Sequence, residues 1–228
     1  MRIHIGSDHA GLELKAALVS YLQGKGHDVK DHGPHEYDAV DDYPDFCIPA
    51  AIATVAEPGS LGIVLGGSGN GEQIAANKVK GVRAALAWNI ETAKLARDHN
   101  NANVIAVGGR MHEADFVKQL IDTFIATPFP GDERHVRRIF ETHWGVSPLQ
   151  YLQTRRLLMA KRLLTDTQLP VTQVAVLSGF GSLRRFNAAF VAQHGDSFLP
   201  RRDLICVAAL APDSRTGRDQ AHFLHLDV

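Results

Sequence analysis

The chain has 228 residues with a formal net charge of −1, and 45% of its residues are hydrophobic and 21% charged, a composition that suits one large or two small globular domains with a core that needs no staples. No run approaches the roughly 20 apolar residues of a membrane span, and the N-terminus enters an apolar strand-like segment at once, without the charged, apolar and small-residue regions of a secretory leader. Cys47 and Cys206 are too few for a disulfide framework or a metal cage, so the expectation is a cytoplasmic protein with reduced thiols, no metal and no membrane partner.

In chain order, short β-rich runs at 2–5, 61–65, 83–87 and 103–107 precede stretches of helical periodicity at 10–24, 71–79, 90–99 and 113–126. Runs such as Leu-Gly-Ile-Val-Leu at 61–65 and Asn-Val-Ile-Ala-Val at 103–107 are apolar on both faces, as central parallel strands are when helices cover each side. The prediction is an α/β fold, a three-layer sandwich with a parallel Rossmann-like sheet. Ligands of such sheets bind beyond the C-terminal strand ends, which directs attention to Ser7-Asp8-His9, to 66–72, to Trp88-Asn89 and to Gly108-Gly109-Arg110. After about residue 140 the rhythm becomes helical, with predicted helices at 149–165, 171–178 and 182–192. Three regions follow: 1–139, a small all-α region at 140–202, and a tail at 203–228 expected to be poorly ordered. Charge shifts across the first boundary, since residues 1–139 carry 14 Lys and Arg against 18 Asp and Glu, and residues 140–228 carry 10 against 7. A mildly basic second half is compatible with nucleic acid and equally with solvated helix faces.

The segment Gly66-Gly67-Ser68-Gly69-Asn70-Gly71-Glu72 places four glycines between a strand and a helix, so its amides can converge on an anion without obstruction by side chains. It matches neither the dinucleotide fingerprint nor the Walker loop. Glu72 supplies a base at the exit of the loop and Ser68 a hydroxyl within it; the alternative is a tight turn with Glu72 as an ordinary first-turn acidic residue. Asp8 and His9 follow the first strand. Asp98-His99-Asn100-Asn101 ends a helix, where a histidine can equally serve the helix dipole. Arg134 and Arg138 share a face at i, i+4 and read as a phosphate clamp or as a solvated surface.

Taken in order, Ser7-Asp8-His9-Ala10-Gly11, Asp41-Asp42-Tyr43-Pro44, the glycine loop continuing to Asn77-Lys78, His99-Asn100, Gly108-Gly109-Arg110-Met111 and the arginines from Arg134 to Arg138 resemble the ribose-5-phosphate isomerase B family over residues 1–139. The resemblance implies interconversion of ribose 5-phosphate and ribulose 5-phosphate through an enediolate, without a cofactor. It implies that Glu72 moves the proton between C1 and C2, that Ser68 lies near the substrate's O1 or O2, and that the amides of Gly67, Ser68, Gly69, Asn70 and Gly71 stabilise the enediolate. His99, with Asp8, would open the furanose ring, and Asn100 would hold a sugar oxygen. His9, Arg110, Arg134 and Arg138 would contact substrate and phosphate, in a site built between subunits of a homodimer or higher homo-oligomer. Other branches of the family carry cysteine where this chain has Gly66. A six-carbon sugar phosphate such as allose 6-phosphate is compatible with the same motifs.

Beyond residue 140 the chain departs from that family. The stretch 145–164, then Val171-Thr172-Gln173-Val174-Ala175, Gly179-Phe180 and 182–190, resembles the DNA-binding domain of AraC-type regulators, with its linking helix and second helix-turn-helix. Only 133–140 resembles the first unit's recognition helix, and it contains the arginine clamp. In that reading Arg184, Arg185 and Asn187 contact DNA. The alternative function is a DNA-binding regulator that uses the α/β domain as a sugar-phosphate sensor.

Overall fold

The computed structural model describes residues 1–194, which divide into two compact units, Met1–Ile139 and a second beginning at Phe140. In the first, strands β1 (Arg2–Ser7), β2 (Asp28–Asp31), β3 (Leu61–Gly66), β4 (Ala84–Leu86) and β5 (Val104–Gly108) form a parallel sheet in the order β2-β1-β3-β5-β4. Every residue of β3 and β5 is buried, because helices cover both faces of the sheet. On one side Leu18 and Leu22 of α1 (Leu12–Gly24), Ala93 of α4 (Ile90–Asn100) and Phe124 of α5 (Ala114–Ala126) belong to one core with Ile63 and Ile105. On the other, Cys47 and Ala51 of α2 (Pro44–Ala56) and Ala76 of α3 (Asn70–Ala76) join Val64 and Ala106. This is the three-layer sandwich expected from the apolar runs.

The edge strand β4 is only three residues long, and its backbone is occupied by side chains. Asn77 accepts from the Ala84 amide at 2.9 Å and donates to the Ala84 carbonyl at 2.9 Å, where Gln73 also donates at 3.2 Å. These bonds take up groups that an open sheet edge would offer to another strand.

Two elements leave little trace in the sequence. Strand β2 has one apolar residue, Val29, in Asp-Val-Lys-Asp, too little to register as a run. Helix α2 carries Pro44 in its first turn and Pro49 inside, and proline inside a helix is normally a breaker signal. The predicted helix at 10–24 opens as a 3-10 turn, His9–Gly11, before α1 begins at Leu12.

Helix α6 (Glu133–Trp144) crosses the boundary between the units. In the second unit α7 (Pro148–Asp166), α8 (Val171–Leu177) and α9 (Leu183–His194) surround Leu157, Ala160, Val174, Phe180, Phe186 and Phe190. Ser147 and Gln150 form a reciprocal capping box at the start of α7, with Pro148 at its first position, so a sharp start is encoded locally. The turn between α8 and α9 uses Gly179 at φ +82°. The expected tail at 203–228 lies outside the described residues. Among the described residues no helix is long and apolar enough to cross a membrane.

All five strands and both covering layers precede residue 140, so a fragment ending at Ile139 is expected to be soluble and to melt in one cooperative transition. An insoluble fragment, or one without a melting transition, would contradict that expectation.

Candidate active site

The loops after β1, β3 and β5 meet at the C-terminal edge of the sheet. The Gly109 amide donates to the Gly66 carbonyl at 2.6 Å and the Arg110 amide to the Gly67 carbonyl at 3.2 Å, which ties the third loop to the glycine loop. Gly69 adopts φ +82°, and a Cβ there would lie 2.6 Å from Leu86 Cδ1 and 2.9 Å from the Gly108 nitrogen. Left-handed backbone and close approach together require glycine at that point. Ser68 is exposed and its Oγ accepts from the Asn70 amide at 3.3 Å. The guanidinium of Arg110 lies beside Gly67. A cavity of about 230 Å³ flanks the loop, lined in part by Ser68, Asn70, Trp88, Met111 and His112.

Glu72 is 4% exposed, and its Oε2 is buried without a hydrogen-bond partner among the described residues. A Cβ on Gly66 would coincide with the Glu72 carboxyl group, so glycine at 66 makes the space in which that carboxyl sits. Burial pushes the Glu72 carboxyl above its ordinary value; its own amide opposes the shift, the Asp8 charge adds to it, and the Gly69 amide opposes it. A carboxyl so placed holds its proton more strongly than an exposed one, as a general base for a carbon acid should. Cys47 is fully buried on α2, where burial and the charges of Glu72 and Asp8 push its thiol up. It is an inert thiol.

Asp8 is also largely buried, and its Oδ1 accepts from the Ala10 amide at 2.9 Å and the Gly11 amide at 3.3 Å. That bonding caps the 3-10 turn that begins at His9. The His9 ring meets Asp41, with Nδ1 2.6 Å from Oδ1. Tyr43, from the same motif as Asp41, lies against the loop: a Cβ on Gly71 would be 2.7 Å from its Cζ. In the sequence Asp41 belongs to a motif but carries no assigned role.

The other residues expected from the sequence at the isomerase site sit elsewhere. Helix α4 follows β4 and leads back to the start of β5, so His99 and Asn100 at its end lie at the N-terminal edge of the sheet. The Asn100 carbonyl accepts there from Arg83 Nε at 3.1 Å, one residue before β4. The His99 ring stacks on His135 of α6, with centroids 4.4 Å apart and planes at 17°, and Arg138 Nη2 bonds to His135 Nδ1. Arg134 is exposed on the same helix. One chain therefore brings together Asp8, His9, residues 67–72 and Arg110, and gathers His99, Asn100, Arg134 and Arg138 at the other end of the strands, roughly 17–20 Å away. In the second unit Arg184 and Arg185 are exposed on α9, and Asn187 is half-buried. Among the described residues no group of three or more His, Cys, Asp or Glu is placed to hold a metal ion.

The sequence model of the family Ribose/Galactose Isomerase matches residues 3–141, and that of a Helix-turn-helix domain matches residues 126–199. Ribose-5-phosphate isomerase B of Mycolicibacterium paratuberculosis is 60% identical over 139 residues, covering 61% of this chain and 87% of the relative; that of Mycobacterium tuberculosis is 59% identical, covering 61% and 86%. Among solved structures, ribose-5-phosphate isomerase B of Clostridium thermocellum aligns with a TM-score of 0.60 at 40% identity, covering 63% of this chain and 95% of that one. The enzyme of Mycoplasma genitalium, solved with bound ribulose-5-phosphate, aligns with a TM-score of 0.60 at 43% identity, covering 62% and 93%. The sheet, the glycine loop and these matches agree, and the chain belongs to the ribose/galactose isomerase family.

Proposed function

We propose that the first unit interconverts ribose 5-phosphate and ribulose 5-phosphate through an enediolate, with Glu72 as the base. The observation that carries this reading is the buried Glu72 carboxyl, with an unpartnered Oε2, beside the glycine-loop amides. Its relatives' name and the ribulose-5-phosphate bound to the Mycoplasma genitalium enzyme support the substrate. Glu72 removes the proton from C2 of the open-chain aldose and returns it to C1. The negative charge that develops on oxygen is met by fixed amides of residues 67–71 and by Ser68, which need no reorganisation during the step.

Ring opening and phosphate recognition need His99, Asn100, Arg134 and Arg138, which one chain holds at its other edge. In the proposed homodimer a second copy presents that edge to the Glu72 edge, and a two-fold axis makes two equivalent sites. His9 and Arg110 then face the substrate from the Glu72 side, and arginine's planar fork suits phosphate oxygens.

Replacing Glu72 by Gln keeps the shape and removes the base. Ketose formation from ribose 5-phosphate should fall by about 10²–10⁴-fold, and undiminished turnover would remove Glu72 from this role. The acid limb of the wild-type pH profile should lie above the ordinary glutamate value, since the base works only when ionised. The same group links stability to pH: its folded-state value is raised, so its stabilising effect is complete below the unfolded value and is lost as pH rises through the folded one. As pH rises from the ordinary glutamate range to neutrality, the Gln variant should therefore lose less stability than wild type in thermal melts.

A second reading, favoured by the helix-turn-helix match at 126–199, is DNA binding by the second unit through Arg184, Arg185 and Asn187, with the first unit sensing sugar phosphate. It predicts salt-dependent DNA affinity that is lost when residues 141–228 are removed. Affinity equal with and without that region would end this reading.

A further inference from the structure

Asp41 occupies an unusual place for a carboxylate. Residues 35–40 before it are all exposed, yet its own side chain is 8% exposed. Its Oδ1 receives two donors from one residue, the His9 amide at 3.0 Å and the His9 ring at 2.6 Å from Nδ1. Its Oδ2 is buried without a hydrogen-bond partner among the described residues. Enclosing a carboxylate oxygen without a donor is costly, so its burial does not follow from its own bonding. What the arrangement secures is His9: backbone and imidazole anchored to one oxygen cannot rotate independently. Tyr37 closes on the same ring edge-on, with centroids 5.9 Å apart and planes at 80°.

We infer that Asp41 is a positioning residue for substrate recognition, fixing the His9 ring with Nδ1–H on the carboxylate so that Nε2 is the nitrogen left for the substrate phosphate. The inference rests on the reading that His9 touches the substrate. An ionised carboxylate only accepts, so the shared proton belongs to Nδ1, and the tautomer and ring direction are set together. When Nε2 donates to a phosphate oxygen the ring carries a positive charge, and the Asp41 carboxylate at the opposite nitrogen offsets it. His9 and Asp41, 32 positions apart in sequence, are thus joined by a strap: the loop after β2 reaches across the sheet edge and locks a side chain from the loop after β1.

The test uses the full chain with Asp41→Ala, Asp41→Asn and His9→Gln. The ¹⁵N imidazole spectrum, in which the His9 signal is identified by its disappearance in His9→Gln, should show the Nδ1–H form in wild type and lose it in Asp41→Ala. KM for ribose 5-phosphate should rise about tenfold in Asp41→Ala, the worth of one hydrogen bond to a charged group, with kcat changed far less. Asp41→Asn, which keeps an acceptor oxygen but no charge, should fall between the two and serves if the alanine variant does not fold. An unchanged His9 spectrum in a folded Asp41 variant would overturn the inference, whatever the kinetics. A changed spectrum with unchanged KM would also overturn it, provided His9→Gln raises KM. If His9→Gln leaves KM unchanged, the reading of His9 as a substrate contact fails instead.

Discussion

Everything at the candidate site depends on one piece of volume, the space beside Gly66 filled by the Glu72 carboxyl. Strand β3 is buried throughout and ends at Gly66; the chain then turns through Gly69 at φ +82° and starts α3, which folds Glu72 back over the strand end. The absent side chain at 66 and the buried carboxyl at 72 are two parts of one arrangement. Any side chain at 66 would displace the Glu72 carboxyl from this space. The same burial that raises the carboxyl's proton affinity makes its ionised form costly to the fold, so base strength and stability oppose each other at neutral pH.

A parallel sheet sends every strand's C-terminus to one edge, and its crossover helices carry the chain back to the other. Glu72 follows a strand and His99 ends a helix, so topology alone holds them apart within one chain. The two groups differ in chemistry: one holds a buried carboxyl beside the glycine loop, the other imidazoles and guanidinium groups. Helix α6 adds a second constraint. Arg134 and Arg138 share one face, whereas Phe140 and Trp144, which pack on Tyr151 at 5.4 and 5.0 Å between ring centroids, share another. Arg138 and Phe140 are two residues apart, about 200° around the helix. The two family matches overlap at 126–141, a stretch that includes the first part of this helix.

The central strands were legible because β3 and β5 are apolar on both faces, and the loop at 66–72 because four glycines between a strand and a helix leave a row of amides open to an anion. Strand β2 and helix α2 were not: an edge strand with one apolar residue leaves no run, and Pro49 marks a break where packing against the sheet sustains a helix. Glu72, Asp8, His9 and Arg110 could be gathered from the rule that ligands bind at strand ends. The burial of Glu72 could not, since it depends on what Gly66 lacks. Nor could the His9–Asp41 pair, which joins two loops 32 residues apart with no periodicity between them.

A site shared between copies, with Glu72 from one chain and His99 from the other, is open to complementation. Two inactive variants, Glu72→Gln and His99→Asn, would be mixed after dissociation and allowed to reassemble. Each mixed dimer would carry one site with both residues intact and one with neither. Random reassembly should therefore recover about a quarter of wild-type activity from two parents that have almost none. A mixture that stays as inactive as its parents, although mixed dimers have formed, would contradict the shared site.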